Sequence, residues 1–441
     1  MKQIHAFIEE RRLDEAREAL LELHPREQGE LYLSLNEGER LFLYEILSPS
    51  ELGDIFEHLS DNEREDFLDE LDETYSAMML NEMNADDAAD ILQLVDEAKA
   101  ERIFAKMQQD GATELRQLMN YEEETAGSIM TTEFVVLKST ERVSDVMTHL
   151  RDEAPNAETI YYLYVVDEVG KLAGVISLRD LIVADPSEFI EDKLNKKVVS
   201  VDVSLDQEEV ARIIKKYDFL AVPVVTNDNH LVGIITVDDI LDVVDEETEE
   251  DFGEISGARG SMNTKLSSFE AARARAPWII MLMLFGLITA NVIGFFEETL
   301  ETIVLLAAFI PMIMGSAGNT GTQALAVVVR GLAVGTIDRS RFFYIIKKEF
   351  GTGALLGITC ALTMLIIIPI FYDSFIIAAI VGTSLFLTLC MATVIGATIP
   401  IIINKFNIDP AVASGPFITT INDVIGLLIY FSIATSMLQY L

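Results

Sequence analysis

Cysteine is nearly absent from this 441-residue chain. The two present, Cys360 and Cys390, both lie in apolar stretches, so there is no disulfide framework. Histidine is scarce, five in all, and none follows His230. The apolar C-terminal half therefore has no HExxH zinc pair, and the chain also lacks a Walker loop and a G-x-S-x-G nucleophile elbow. Those absences remove the parts of a membrane hydrolase and of an ATP-driven pump, and nothing else in the sequence suggests an enzyme. Bases are outnumbered: 32 Lys and Arg stand against 72 Asp and Glu, a net charge of −40. The opening stretch, MKQIHAFIEERRLDEA, has no long apolar run and reads as an amphipathic helix rather than a signal peptide.

The charge is unevenly placed. Residues 271–441 hold eight acids and eight bases, so the 64 acids and 24 bases of residues 1–270 supply the whole excess. A neutral, apolar half follows an intensely acidic one. Such an acidic surface repels nucleic acid and anionic headgroups and attracts cations. Solubility alone explains a modest excess of acid, not one of this size.

Residues 1–130 read as an all-α, helical-repeat domain. SPSELGDIFEHLSDNEREDFLDEL from Ser48 lines up with NADDAADILQLVDEAKAERIFAKM from Asn84 at a period of 36, matching Ile55 to Ile91 and Phe67 to Ile103. Each unit opens on a cap residue followed by acids, as helix N-termini prefer. Asp86, Asp87 and Asp90 crowd into one short segment of it. Taken singly, each reads as a solvated or capping acid.

Over 131–245 the period changes to that of strands. Two copies of a β-α-β-β-α unit, 131–190 and 195–245, repeat at a spacing of 59, with GVISLRDLI (Gly174 to Ile182) aligned to GIITVDDIL (Gly233 to Leu241). The signature resembles the CBS domain, which occurs in tandem α/β pairs. That resemblance implies a nucleotide role for Ser177 with Asp180 and for Thr236 with Asp239, holding the phosphate and ribose of ATP or another adenine nucleotide. The alternative is a hinge whose hydroxyls and acids only cap the last helix of each unit.

Residues 246–275 run from DEETEED to KLSSFEAARARAP and read as a connecting, plug-like helix, with breaks allowed at Gly253, Gly257 and Gly260. Met262, Leu266 and Phe269 share a face of its later part, which suits an interfacial helix. Five apolar spans follow, at about 277–296, 303–329, 351–371, 376–403 and 411–440, forming a transmembrane domain over 276–441. Arg273, Arg275, Arg330, Arg339, Arg341, Lys347, Lys348 and Lys405 all fall on one side, and Glu297, Glu298, Glu301 and Asp373 on the other. The positive-inside rule then predicts a multi-pass protein of the plasma (inner) membrane, N-terminus cytoplasmic and C-terminus outside.

Two spans carry polar residues at bilayer depth. In the fifth, AVASGPFITTINDVIGLLIY contains Gly415, Pro416, Thr419, Thr420 and one carboxylate, Asp423. A charge there costs from about 2.5 kcal/mol upward, so it faces a water-filled path or a partner, unless it is a neutral acid packed between helices. In the second, Pro311 and the run GSAGNTGTQ place Gly318, Asn319 and Gln323 within an apolar helix. This predicts an interrupted helix lining a pore, the alternative being close packing through small residues.

These features, in this order, resemble the MgtE family of magnesium channels, related to eukaryotic solute-carrier magnesium transporters. GSAGNTGTQALAVVVRG and DPAVASGPFITTINDVIGLLIYF are the most specific stretches. The resemblance implies a homodimer in a lipid bilayer, with a pore on the two-fold axis between second and fifth spans and Asp423 as the pore acid. It implies Mg2+ influx under negative feedback for magnesium homeostasis. The positions matching regulatory Mg2+ sites are Asp206, Glu208, Asp218, Asp239, Asp242, Glu247, Glu250 and Asp251, with the acids from Asp86 to Asp90 facing them. Two variants stay open: a broader divalent-cation pathway, passing for example Co2+, and a membrane-anchored Mg2+ sensor that conducts nothing. An anion pathway would need bases in the pore.

Overall fold

The computed structural model describes residues 2–154, 157–258, 266–337, 342–406, 408–413 and 415–437. Gly260, Met262, Arg339 and Arg341, named above, lie outside the described residues. The chain divides into two compact units, Met1–Val243 and Val244–Leu441.

The first unit begins with short helices, many of which start on a small polar cap. Ser48 opens the helix Pro49–Phe56 as a capping box: its hydroxyl accepts from Glu51 N, and Glu51 Oε2 accepts from Ser48 N at 2.9 Å. Asn84, 36 residues on, opens Ala85–Leu94. The repeat's apolar pairs face inward: Ile55 and Ile91 are fully buried, as are Ile103 and nearly Phe67. Their cluster does not end with the helices. It takes in Val210, Val222, Ile235 and Ile240, so the helical array and the second β-α-β-β-α unit share one core.

Each of those two units carries a three-stranded sheet of the same order. In the first, β1 (Phe134–Lys138) runs parallel to β2 (Thr159–Val166), which pairs antiparallel with β3 (Leu172–Ser177). In the second, β4 (Val201–Asp202) takes the place of β1 beside β5 (Ala221–Val225) and β6 (Leu231–Thr236). β4 is only two residues long. The chain entering this unit also bonds to it, at the far edge of the sheet, where Thr131 N donates to Ile234 O at 2.9 Å, and just after β4, where Ala126 N donates to Leu205 O at 2.6 Å.

The last helices of the two copies differ most. The first is Leu178–Val183; the second, Val237–Ser256, runs twenty residues and does not stop near 244. It ends where Gly257 takes φ +68°, a left-handed conformation that glycine adopts without strain. Residues 246–275 are therefore not one connecting helix. Their first part continues this acidic helix, and their last part belongs to Ser268–Phe295, which starts on a Ser267/Glu270 capping box and becomes the first span.

Among the described residues, five helices of the second unit are long and apolar enough to cross a membrane: Ser268–Phe295, Val304–Ala333, Phe342–Tyr372, Phe375–Lys405 and Gly415–Met437. The interruptions expected inside two of them are displaced to their ends. The second span has a 3-10 turn at Val304–Phe309 and then an unbroken helix from Ile310 to Ala333, with Pro311 in its first turn. In the fifth, Pro416 also stands in the first turn, where its missing N–H costs nothing. Gly318 and Gly321 stay helical because small residues are needed there. A Cβ at Gly318 would lie 2.6 Å from Thr419 Cγ2, and one at Gly396 of the fourth span 2.2 Å from Gly321 O. Second and fourth spans thus meet at backbone distance, while side chains of the fifth, Thr419 and Asn422, fill the room that Gly318 and Gly321 leave. The first span is mostly exposed, as a lipid-facing helix should be, and touches the fifth through Phe285 and Phe417, 6.1 Å between ring centres.

Candidate functional site

In the first unit, carboxylates from four segments are packed together. The helix Ala85–Leu94 brings Asp86 and Asp87; the loop before β1 and the start of β2 bring Glu133 and Glu158; the helix from Val237 brings Asp239. The N-terminus of Ala85–Leu94 is held by acids that come from elsewhere in the fold. Asn84 Nδ2 donates to Glu158 Oε2 at 2.6 Å, and Ala85 N donates to Glu133 Oε1 at 3.1 Å. Asp239 Oδ2 accepts from Thr236 Oγ1 at 2.5 Å. One base is seen to reach in, Arg64, 3.5 Å from Asp87 Oδ1.

Burial and mutual repulsion raise these acids. Asp86 stands well above the usual carboxylate range through burial and then the charges of Asp87, Asp239 and Glu133, and its Oδ1 is buried without a partner. Burial lifts Asp87 to about 6 against the pull of Arg64, with Asp239, Asp242 and Glu133 adding to the rise. Glu158 and Glu57 both reach about 7 through burial and neighbouring acids, and burial also raises Asp239. Among the described residues, no three acids or histidines are already drawn into a metal cage. The donors are nevertheless all hard oxygens with excess negative charge, which suits a divalent cation held through its waters.

The other acids are placed differently. Asp242 is exposed on the Val237–Ser256 helix and acts on Asp87, while Asp90 is exposed on its own helix. Glu247, Glu250 and Asp251 follow on that same long helix, beyond Val243 and so in the second unit. Asp206, Glu208 and Asp218 have local roles. Asp206 caps Gln207–Tyr217, Glu208 pairs with Arg212 at 2.7 Å, and Asp218 closes that helix at φ +54°. The structure does not bring these three into the cluster around Asp86.

The two hydroxyl–acid pairs form matching caps. Ser177 Oγ donates to Asp180 Oδ2 at 2.7 Å, as Thr236 does to Asp239. They differ in access. Thr236 is buried and Asp239 belongs to the acid cluster, whereas the Ser177–Asp180 pair is exposed.

In the second unit, a cavity of about 470 Å³ lies at the start of the fifth span. Asn319 and Thr322 of the second span line it with Gly415, Pro416, Thr419 and Thr420 of the fifth, and Ile255 and Leu282 complete the wall. Thr420 Oγ1 donates to Pro416 O at 2.9 Å and Thr322 Oγ1 to Asn319 O at 2.9 Å, so both hydroxyl protons are used within their helices. Asp423 is half-buried one turn deeper than Thr419 and Thr420, and its Oδ1 has no partner. Gly318 is a packing contact under Thr419, and Gln323 is exposed outside the lining.

The family model described as a divalent cation transporter matches residues 310–433, that of the MgtE intracellular N domain matches 23–124, and that of the CBS domain matches 126–187 and 190–246. A magnesium transporter MgtE of Enterococcus faecalis is 44% identical over 98% of this chain and 96% of its own length. The chain belongs to the MgtE family. A second MgtE, from Bacillus subtilis, is 44% identical over 74% of this chain and 72% of its own. Among solved structures, the soluble part of a magnesium transporter is 48% identical with a TM-score of 0.54, covering 56% of this chain and 97% of that one. The cytosolic domain of the Mg2+ channel MgtE in complex with ATP is 43% identical with a TM-score of 0.50, covering 52% and 93%. MgtE proteins are transporters, not enzymes, and with five apolar helices this member is a multi-pass membrane protein.

Several residues of this MgtE chain's sites escaped sequence reading. Glu57, Glu133 and Glu158 carry no motif and join the acid cluster only through tertiary packing. Asn422, next to Asp423 in the fifth span, is buried at 1% exposure with both amide atoms unpartnered. The polar pair Asn-Asp at bilayer depth was its signal.

Proposed function

We propose that this protein carries Mg2+ across the plasma (inner) membrane as a homodimer, N-terminus inside and C-terminus outside, and that intracellular Mg2+ bound by its acidic half closes the path. Mg2+ sheds water reluctantly and meets carboxylates through its hydration shell. Two Asp423 side chains, one from each copy, match its charge without a cage that would trap it. Asn319, Gly415, Pro416, Thr419 and Thr420 line the cavity, and Asp423 follows Thr419 one helical turn on in the same helix.

The observation that carries the gating reading is the acid cluster itself. Asp86, Asp87, Glu133, Glu158 and Asp239 are packed together with one guanidinium beside them, and their charges raise one another. Without a cation such acids push their segments apart; with Mg2+ between them the helical array and the CBS pair stay closed. Asp242, Glu247, Glu250 and Asp251 extend the same negative helix, and Asp90, Asp206, Glu208 and Asp218 are the weaker candidates. A site that binds the closed form tenfold better biases it by about 1.4 kcal/mol. Roughly four such sites carry a 1:99 balance to 99:1.

An adenine nucleotide at the exposed Ser177–Asp180 pair tunes this equilibrium rather than supplying energy. The ATP complex of a relative's cytosolic domain supports that role. The test is Mg2+ uptake by reconstituted vesicles with internal Mg2+ stepped from zero to high. Uptake that falls as internal Mg2+ rises is expected. No uptake at any level leaves a sensor that conducts nothing, and equal uptake of Co2+ makes the path a general divalent one.

A further inference from the structure

We infer that Asn422 is a specificity-determining positioning residue: its amide, seated in the notch that Gly321 leaves in the second span, sets the rotation of the fifth span and so the direction of the Asp423 carboxylate. This rests on the reading of Asp423 as the pore acid.

Asn422 is 1% exposed, and neither Oδ1 nor Nδ2 has a hydrogen-bond partner. Burying an amide unpaired is unfavourable, and an apolar side chain of like size would fill the same space without that cost. Simple packing therefore does not account for the residue. Its seat is unusually confined. A Cβ at Gly321 would stand 1.9 Å from Asn422 Nδ2 and 3.1 Å from both Asn422 Cγ and Ile418 Cγ2. Gly321 has no room to retreat, because its carbonyl is pressed by the fourth span, where a Cβ at Gly396 would be 2.2 Å from Gly321 O. The planar amide is thus wedged against a backbone that is itself held from behind.

The next residue in the chain is Asp423. Successive side chains of a helix point about 100° apart, so with Asn422 turned onto the second span, Asp423 must face to one side. That side is the one carrying Thr419 and Thr420, four and three residues earlier, which line the cavity. Any change that lifts the amide from the notch turns or shifts the fifth span, and the carboxylate moves with it. A hydrated divalent ion is selected by the geometry its shell meets, so discrimination between ions is what this movement alters.

The test uses full-length protein in vesicles. Uptake of Mg2+ and of Ca2+ is measured for the wild type, Asn422→Leu, Gly321→Ala, the double variant Gly321→Ala/Asn422→Ala and Asp423→Asn, with the thermal midpoint of each. We expect the Mg2+:Ca2+ ratio to fall about tenfold in the first two variants, since displacing a working group by about 1 Å costs up to a hundredfold. The double variant returns a methyl to the space the amide vacates, so it folds, and it shows the same lowered ratio. A wild-type ratio in any folded one of these three overturns the inference and leaves Asp423 as the pore acid. A wild type that does not discriminate between the ions also overturns it. Unimpaired uptake by Asp423→Asn instead overturns the pore reading beneath it.

Discussion

Asp87 and Asp423 are both carboxylates drawn partly out of water, yet they have little else in common. Around Asp87 stand Asp86, Glu133, Glu158, Asp239 and Asp242, from four parts of the first unit, with Arg64 as the nearby base. Around Asp423 the second unit offers threonines, glycines and apolar side chains, and no second acid from the same chain lies in that helix. Crowded acids make the packed state depend on a cation, so they suit a switch. An isolated acid without a second one in its helix holds an ion less firmly, so it suits the path proposed above. On that proposal the same functional group takes different parts according to its neighbours.

Breaking the isolated acid should have the larger effect. Asp423→Ala is expected to reduce Mg2+ uptake by vesicles to the background of empty ones with the thermal midpoint unchanged, and Asp423→Asn to be nearly as damaging. Uptake at the wild-type rate would remove the contrast altogether. Thinning the crowd should act more narrowly. The variant Asp87→Ala/Asp239→Ala should still conduct, but its flux should no longer respond to internal Mg2+ over the range that closes the wild type. Closure at the wild-type concentration would exclude these two acids from the sensor.

Acidity should sharpen the comparison further. Asp87 at about 6, and Glu57 and Glu158 at about 7, lie above ordinary carboxylates near 4. Between pH about 4 and 7 the packed form keeps protons that the separated form sheds. Its stability is therefore greatest below that window, falls as pH rises through it and levels off above 7. Without Mg2+, the acidic half should resist protease better at pH 5.5 than at pH 8, and millimolar Mg2+ at pH 8 should restore the difference. Equal digestion at the two pH values without Mg2+ would mean the acids are not held as buried as described.

The smallest effect concerns the nucleotide. Asp180→Ala should abolish weak binding of ATP or AMP measured by calorimetry, with little change in uptake at low internal Mg2+. Heat of binding that survives Asp180→Ala would move the nucleotide elsewhere on the CBS pair.

Much of the architecture was legible in the chain because it depends on local rules. The 36-residue repeat announced itself through caps and apolar spacing, and Ser48 and Asn84 do stand at helix starts. The two CBS copies were readable because their strands alternate and their turns recur at a fixed spacing. The spans were readable from length and hydropathy. The places that misled were glycines and prolines. In Gly315, Gly318 and Gly321 the sequence suggests a broken helix, but the helix is continuous there, and side chains of the fifth span occupy the room that Gly318 and Gly321 leave. The helix from Val237 runs on past the end of the second β-α-β-β-α unit because the stretch has no stop signal until Gly257.

By itself the sequence determined the order of parts: an acidic helical array, a tandem pair, five apolar helices and one carboxylate at bilayer depth. These follow from periodicity, charge and hydrophobic length, which each segment carries on its own. Only the tertiary structure decided which acids meet. Glu133 and Glu158 reach the N-terminus of Ala85–Leu94 across 48 and 74 residues of sequence, and Asn422 meets Gly321 across two spans. Burial and Coulomb interaction depend on distance in space, and no local pattern records that distance.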